Sequence, residues 1–361
     1  MLIEENKPLA PFTTFGIGGP ARWFVEARSE DEIVEVAAWA REHAVPLFVL
    51  GGGSNLLVSD TGFGGLVLRV GLRGVDVAGM PGADKRRIYK VAAGEDWDHF
   101  VERVVRDGCA GVECLAGIPG TVGGTPVQNV GAYGQEVATS IETVRAFDLE
   151  ERKFTEFGAA ECGFAYRRSR FNSVDRGRYI VTRVDYRLIH GGPPTLVYTD
   201  LKKIILEKYP DGDQPSLAEI AAAVRRVRQS KGMLPVEGDP DCRSAGSFFK
   251  NPVVSAEQIR RITDLVGKFP PQFPAGQGAG NQVQVKVPAA WLIEQAGFNK
   301  GYRLGAAGIS SRHTLALVNY GEQDGGGASA TEILALAGQI TSAVEARFGV
   351  VLEIEPVMVG F

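Results

Sequence analysis

Two stretches of small residues carry the first hint of chemistry. Gly51-Gly52-Gly53-Ser54-Asn55 follows directly on Leu47-Phe48-Val49-Leu50. A strand ending in such a run presents successive backbone N–H groups with no side chains in the way, as cradling a pyrophosphate requires. The same run also reads as an ordinary tight turn. It is neither Gly-x-Gly-x-x-Gly nor a Walker loop, since no Lys-Ser/Thr follows the glycines and no further glycine sits at the needed offset. The second stretch, Ala116 to Gly134, contains Ile118-Pro119-Gly120-Thr121-Val122-Gly123-Gly124 and Gly131-Ala132-Tyr133-Gly134. It is too apolar and too small for a solvent loop, so backbone there approaches either another segment or a flat ligand. Two such stretches in one domain point to a large cofactor with a diphosphate and a ring.

The rest of the composition narrows the partner. The 361 residues are 44% hydrophobic and 23% charged, a globular composition long enough for two or three domains. The net charge of −4 and the scattered Lys and Arg leave no basic stripe, so nucleic acid and anionic membrane are not expected partners. The opening residues from Met1 to Pro8 include two acids and no apolar run, and no later segment is long and apolar enough to span a bilayer. Cys109, Cys114, Cys162 and Cys242 show no Cys-x-x-Cys spacing, so no disulfide framework or zinc site is expected. His43, His99, His190 and His313 are isolated, and no metal is expected. A reducing, cytoplasmic compartment and a small-molecule ligand follow.

The elements that must position these stretches read as follows. The start is irregular and contains proline. Ser29-Glu30-Asp31-Glu32 forms a capping box ahead of a helix with Ile33, Val36, Ala37 and Ala40 on one face. Leu47–Leu50 reads as a buried strand, and residues 65–70 and 89–93 as further strands. A helix from about Trp97 to Asp107 stops at Gly108. Residues 143–149, 152–157 and 179–188 alternate as antiparallel strands. Breaks at 191–194 and 210–215 suggest a domain edge near 215. Beyond it, Ser216 with Glu219, Ser255 with Gln258 and Ser329 with Glu332 each announce a helix. Val350–Val359 reads as a closing strand, and the glycine-rich stretches 274–280 and 325–327 as loops.

The order of four unrelated motifs then carries a resemblance. Gly51-Gly52-Gly53-Ser54-Asn55, Ile118 to Gly124, Tyr166-Arg167-Arg168-Ser169 and Gly246-Ser247-Phe248-Phe249-Lys250-Asn251-Pro252 together resemble the UDP-N-acetylenolpyruvoylglucosamine reductase family. The likeness covers nearly the whole chain, from Thr14-Phe15-Gly16 to Glu355. It implies an α+β protein: an FAD-binding fold of the vanillyl-alcohol-oxidase (PCMH) type plus a C-terminal α/β substrate-binding domain. Residues 1–70 and 71–214 would form two FAD-binding subdomains, and 215–361 the substrate-binding domain. It implies non-covalent FAD, since the first glycine loop lacks the His of covalent relatives, with NADPH as hydride donor. The implied substrate is UDP-N-acetylglucosamine enolpyruvate, reduced to UDP-N-acetylmuramate for peptidoglycan; a monomer is the expectation, though the sequence itself does not set the oligomeric state.

The resemblance also assigns residues. Gly51, Gly52, Gly53, Ser54, Asn55, Ile118, Pro119, Gly120, Gly123, Gly124 and Tyr133 would hold FAD. Reducing the enolpyruvyl double bond leaves negative charge beside a carboxylate, and that charge needs a cation and then a proton. Arg167 is implied as the cation, Ser247 as the proton donor and Glu355 as the group orienting the enolate. Taken bare, Arg167 in an Arg-rich run reads as a solvated cation and Ser247 beside two phenylalanines as a turn hydroxyl. Glu353 rivals Glu355, because residues two apart on a strand share a face. Tyr198, Arg228, Lys231, Asn251 and Gln295 are implied at the nucleotide end of the substrate, with ordinary packing the alternative for Tyr198 and Gln295. Leu196 to Leu201 resembles an extra tyrosine loop that moves on binding. Many relatives end in Glu-Val-Arg, whereas here Pro356-Val357 follows Glu355, and the loops 235–243 and 270–281 look long. A hydroxy-acid oxidase on the same flavin fold and a nucleotide-sugar binding module without catalysis are the rival functions.

Overall fold

Each of the serines that announces a helix opens one. Ser29 accepts the Glu32 N–H ahead of Glu30–Glu42, and the Glu32 carboxylate reaches back to the Arg28 N–H. Ser216 and Glu219 exchange bonds at the start of Leu217–Ser230. Full capping boxes start Ala256–Val266 and Ala330–Phe348. The last two helices stop at Gly267 and Gly349, both left-handed, where a Cβ would add strain. The computed structural model describes residues 2–78, 85–208, 214–277, 283–321 and 327–361. They form two compact units.

The first unit comprises Met1–Lys7, Ala21–Gly53 and Gly64–Ser230. One of its sheets runs Glu4–Pro8, Pro20–Ala27, Phe63–Val70, Leu47–Leu50, the last two parallel. The first two strands replace the irregular start expected from the prolines. Pro8 and Pro20 sit at strand ends, where a missing donor is tolerated. Leu47–Leu50 is an edge strand, so only Leu50 is fully buried, short of the buried strand expected. The second sheet joins Lys153–Gly158, Ile141–Asp148, Tyr179–His190, Arg86–Ala92 and Val75–Ala78 in that order, antiparallel throughout. Against it lies Trp97–Arg106, capped by Asp96, with Trp97, Phe100, Val101 and Val104 turned inward. The rings of Trp97, Phe100 and Tyr186 meet in its core at 5.1–5.8 Å. Full burial of such side chains stabilises by roughly 1.5–3 kcal/mol each.

The second unit comprises Pro8–Pro20, Ser54–Phe63 and Lys231–Phe361. Its longest helix, Ala330–Phe348, buries Ile333, Leu336, Ile340 and Val344 along one face. Asp60 accepts the Ala330 and Thr331 N–H groups at its start, at 2.6 and 3.0 Å. Small antiparallel sheets join Arg303–Leu304, Ala307–Ile309 and Leu317–Asn319, and Val253–Val254, Val283–Lys286 and Phe273–Gln277. The last strand overturns the loop expected at 274–277, while 278–280, 325 and 326 lie outside the described residues, as do 210–213 of the expected break. The closing strand is shorter than expected. Val357–Val359 pairs in parallel with Leu56–Val58, while Ile354 forms a separate antiparallel bridge with Phe249, and Pro356 between them has no N–H to continue a ladder. Among the described residues no helix is long and apolar enough to cross a membrane.

Candidate functional site

In the first unit the two glycine stretches meet backbone to backbone. The second stretch is pinned where Trp97–Arg106 begins: Trp97 N–H donates to Gly120 O (3.1 Å), Val122 N–H to Glu95 O (2.9 Å) and Gly123 N–H to Ala93 O (2.8 Å). A Cβ on Gly52 would lie 2.4 Å from Gly120 Cα, and one on Gly123 2.6 Å from Ala93 Cβ. Close approach of another segment therefore explains those two glycines. Gly124 is exposed, with no protein atom within 4 Å of where its Cβ would stand. Ile118 and Pro119 lie half-buried just ahead. Beside Gly51 the buried Thr121 Oγ1 has no hydrogen-bond partner among the described residues. A bare backbone cradle with a buried hydroxyl left over fits the diphosphate of a flavin dinucleotide.

Tyr133 stands at the far end of the second stretch with φ +50°, a strained conformation for a non-glycine residue. Its ring meets that of Tyr198 edge to face at 5.2 Å. Its hydroxyl is hydrogen-bonded to Arg228. Arg228, 6% exposed, also donates from Nε to Gly117 O at 2.9 Å. Burial presses its pKa below the usual value. This cation thus holds the glycine stretch in place. Arg225 helps, through two bonds to Asp98, whose carboxylate also accepts the Gly117 N–H at 2.6 Å.

Arg167 sits in a tight turn closed by paired bonds between Ala165 and Arg168, with φ +55°. That turn aims it away from its neighbours. Arg168 is exposed and Arg170 pairs with Asp175, whereas Arg167 is half-buried and donates from Nη1 to Gly131 O at 2.9 Å. It is not the solvated cation that its Arg-rich run suggests.

In the second unit, residues 248–250 run antiparallel to 353–355: Glu355 N–H donates to Phe248 O, and Lys250 N–H to Glu353 O, both at 2.9 Å. This ladder sets Ser247 beside the Glu355 end. The two candidate carboxylates part company here. Glu353, 71% exposed, pairs with Lys250, while Glu355 is half-buried and its carbonyl faces Asn55. Ser54 and Asn55 belong to this unit, where Asn55 O accepts the Val357 N–H at 2.9 Å. Lys231 lies in the field of His313, whose pKa burial, Lys231 and Lys300 push down to about 4. Asn251 Oδ1 accepts the Ala289 N–H at 2.9 Å, at the start of the helix that ends in Gln295. The structure therefore groups Tyr133, Arg167, Tyr198 and Arg228 in one unit, and Asn55, Ser247 and Glu355 in the other. Sequence reading passes over Thr121 and His313. A lone threonine among glycines is the only signal for the first, and no signal marks the second.

The FAD binding domain family matches residues 21–150, and the chain is a flavin-dependent oxidoreductase. Residues 238–359 match the C-terminal domain of UDP-N-acetylenolpyruvoylglucosamine reductase. The reductase of that name from Thermobifida fusca is 44% identical over 99% of this chain and 98% of its own. The Streptomyces coelicolor protein is 42% identical over 99% and 90%. The crystal structure of the Thermus caldophilus reductase aligns with TM-score 0.65 at 29% identity, over 99% of both chains. This chain belongs to the UDP-N-acetylenolpyruvoylglucosamine reductase family. Its fold is the α+β arrangement that the resemblance implies, an FAD-binding fold followed by the family's C-terminal domain.

Proposed function

We propose that this protein reduces the enolpyruvyl double bond of UDP-N-acetylglucosamine enolpyruvate to give UDP-N-acetylmuramate, with NADPH as electron source. Bound FAD would supply the hydride chemistry that links NADPH to the double bond. Gly51 to Gly53, Ile118 to Gly120, Gly123 and Gly124 would hold it, with Thr121 donating to a phosphate oxygen. In this reading residues 1–70 and 71–214 serve the flavin and 215–361 the UDP-sugar.

The chain's own residues then meet the charge. Arg167, fixed by its turn and by Gly131 O, offers a guanidinium to the carboxylate and the enolate growing next to it. Ser247 gives a proton to the carbanion-like carbon, a role open to so weak an acid only because that carbon is strongly basic. Glu355 orients the enolate. Lys231 neutralises the diphosphate, Tyr198 packs on a ring, and Arg228 supports the binding surface through Tyr133 and Gly117. Asn251 and Gln295 complete the contacts to the nucleotide. The observation that carries the reading is the ladder that places Ser247 beside half-buried Glu355 while Glu353 faces solvent.

Anaerobic half-reactions test it. Ser247→Ala should leave bleaching of the flavin by NADPH unchanged and slow its recovery with the UDP-enolpyruvyl sugar about 100-fold or more, the range for loss of a positioned acid. Equal slowing of both halves would sink the assignment.

A further inference from the structure

Glu113 is 0% exposed, and three donors converge on its carboxylate. Oε2 accepts the Gly111 N–H at 2.8 Å, and Oε1 accepts the Thr195 N–H and Gln135 Nε2, both at 2.8 Å. Gln135 Nε2 also donates to Thr195 Oγ1 at 2.9 Å, and Cys114 Sγ to Thr195 O at 3.2 Å. Thr195 is thus held at its N–H, its hydroxyl and its carbonyl, although residues 192–198 have no regular structure. Burying a carboxylate completely is expensive unless its partners repay the lost hydration. Here two of the three partners, Thr195 and Gln135, bind each other as well.

What this fastening holds is the approach to Tyr198. Beyond Thr195 the chain lies along the turn at 133–135 in opposite order. Val197 sits on Gly134, where a Cβ would come within 2.0 Å of it, and Tyr198 sits on Tyr133. The next helix, Thr199–Lys208, is anchored by buried Leu201 and Ile205. Residues 196–198 therefore form a short arch fixed at both ends. The hairpin that seats it, Gly131–Ala132 with Gln135–Glu136, also supplies the carbonyl that holds Arg167.

We propose that Glu113 is a positioning residue for Tyr198: through Thr195 and Gln135 it registers the arch on the hairpin before substrate arrives, and movement on binding is confined to residues 196–198. This rests on the reading of Tyr198 as a substrate contact. In FAD-loaded full-length protein, Glu113→Gln puts an amide NH2 against donors and breaks at least one of the three bonds. It should raise KM for the UDP-enolpyruvyl sugar about 10-fold, corresponding to about 1.4 kcal/mol, with flavin reduction by NADPH unchanged. Thr195→Val, which keeps shape and N–H but loses the hydroxyl, should shift KM the same way by less. In a Tyr198→Ala background Glu113→Gln should add nothing to KM, since the two act through one contact. Additive effects would overturn the proposal. Hydrogen exchange of the segment 194–198 in substrate-free protein should speed at least 10-fold in Glu113→Gln. Unchanged exchange would also overturn it, whatever the substrate proves to be. A wild-type protein whose flavin the UDP-enolpyruvyl sugar fails to reoxidise, with exchange still faster in the variant, would instead overturn the substrate reading and leave the clamp standing.

Discussion

Replacing Gly52 by alanine separates the two reasons for a glycine cradle. The new Cβ would stand 2.4 Å from Gly120 Cα, 2.7 Å from its carbonyl carbon and 2.9 Å from Thr121 N. These are backbone atoms, and the second stretch is tied down at Gly120, Val122 and Gly123, so no side chain can swing aside. Ordinary contact begins at 3.4 Å, and the two loops must part by about 1 Å. Overpacking of this kind costs about 1–3 kcal/mol. For a protein of this size that lowers the melting temperature of the apoprotein by roughly 1–4 °C. The same displacement widens the cradle, and FAD affinity should fall by about 5- to 150-fold. Flavin fluorescence quenching on titration with FAD, beside thermal melting of the apoprotein, measures both. Gly124→Ala is the control: with nothing within 4 Å of its Cβ, it should leave apoprotein melting unchanged, and if Gly124 lines the FAD cradle as proposed it should weaken FAD alone. A Gly52→Ala protein with wild-type melting and wild-type FAD affinity would refute the packing argument.

Two further predictions concern pH and the second unit. Burial and the charges of Lys231 and Lys300 lower the His313 pKa to about 4, so the unfolded chain takes up this proton first. Stability should therefore be full above the unfolded value of about 6.5 and decline as pH falls toward 4, by about 2 kcal/mol after allowance for partial solvent access. Urea midpoints between pH 7 and 4.5 should show a shallower slope in His313→Gln; parallel slopes would count against it. Asp241, 4% exposed, accepts from Ser311 N–H and Oγ, Tyr320 OH and Arg312 Nε at 2.6–3.0 Å. Burial alone would raise its pKa, and these bonds overcome burial and hold it at about 2. Its contribution is present above the unfolded value and lost as pH falls through about 2. Asp241→Asn should destabilise by about 3 kcal/mol at pH 7, read from the urea midpoint, and a variant as stable as the parent would refute the account.

Local chemistry was legible along the chain because its partners lie three or four residues apart. The serine caps at 29, 216, 255 and 329 each name both halves of the bond that starts a helix, Gly349 marks where the last of these stops, and Gly108 follows the end of Trp97–Arg106. The alternating strands of the middle region read correctly for the same reason, since alternation alone says which face is buried. The order of four motifs carried the family and the flavin.

Long-range pairing was not legible, because nothing near Gly52 indicates that its neighbour is Gly120, and nothing near Val350–Val359 indicates that Ile354 bridges Phe249 while Val357–Val359 pairs with Leu56–Val58. Tertiary structure alone decided that Glu353 meets Lys250 at the surface while Glu355 is half-buried, a choice that strand periodicity left open because the two residues share a face. It also decided that Arg167 turns inward from an Arg-rich run, since that direction comes from a left-handed residue closed by bonds between its neighbours. The sequence by itself determined the four serine-capped helices and the family to which the chain belongs, whereas the helix Thr199–Lys208 carried no cap signal and went unread. Which loop lies against which, and which of two like side chains is buried and which faces solvent, depend on contacts between residues dozens to hundreds of positions apart.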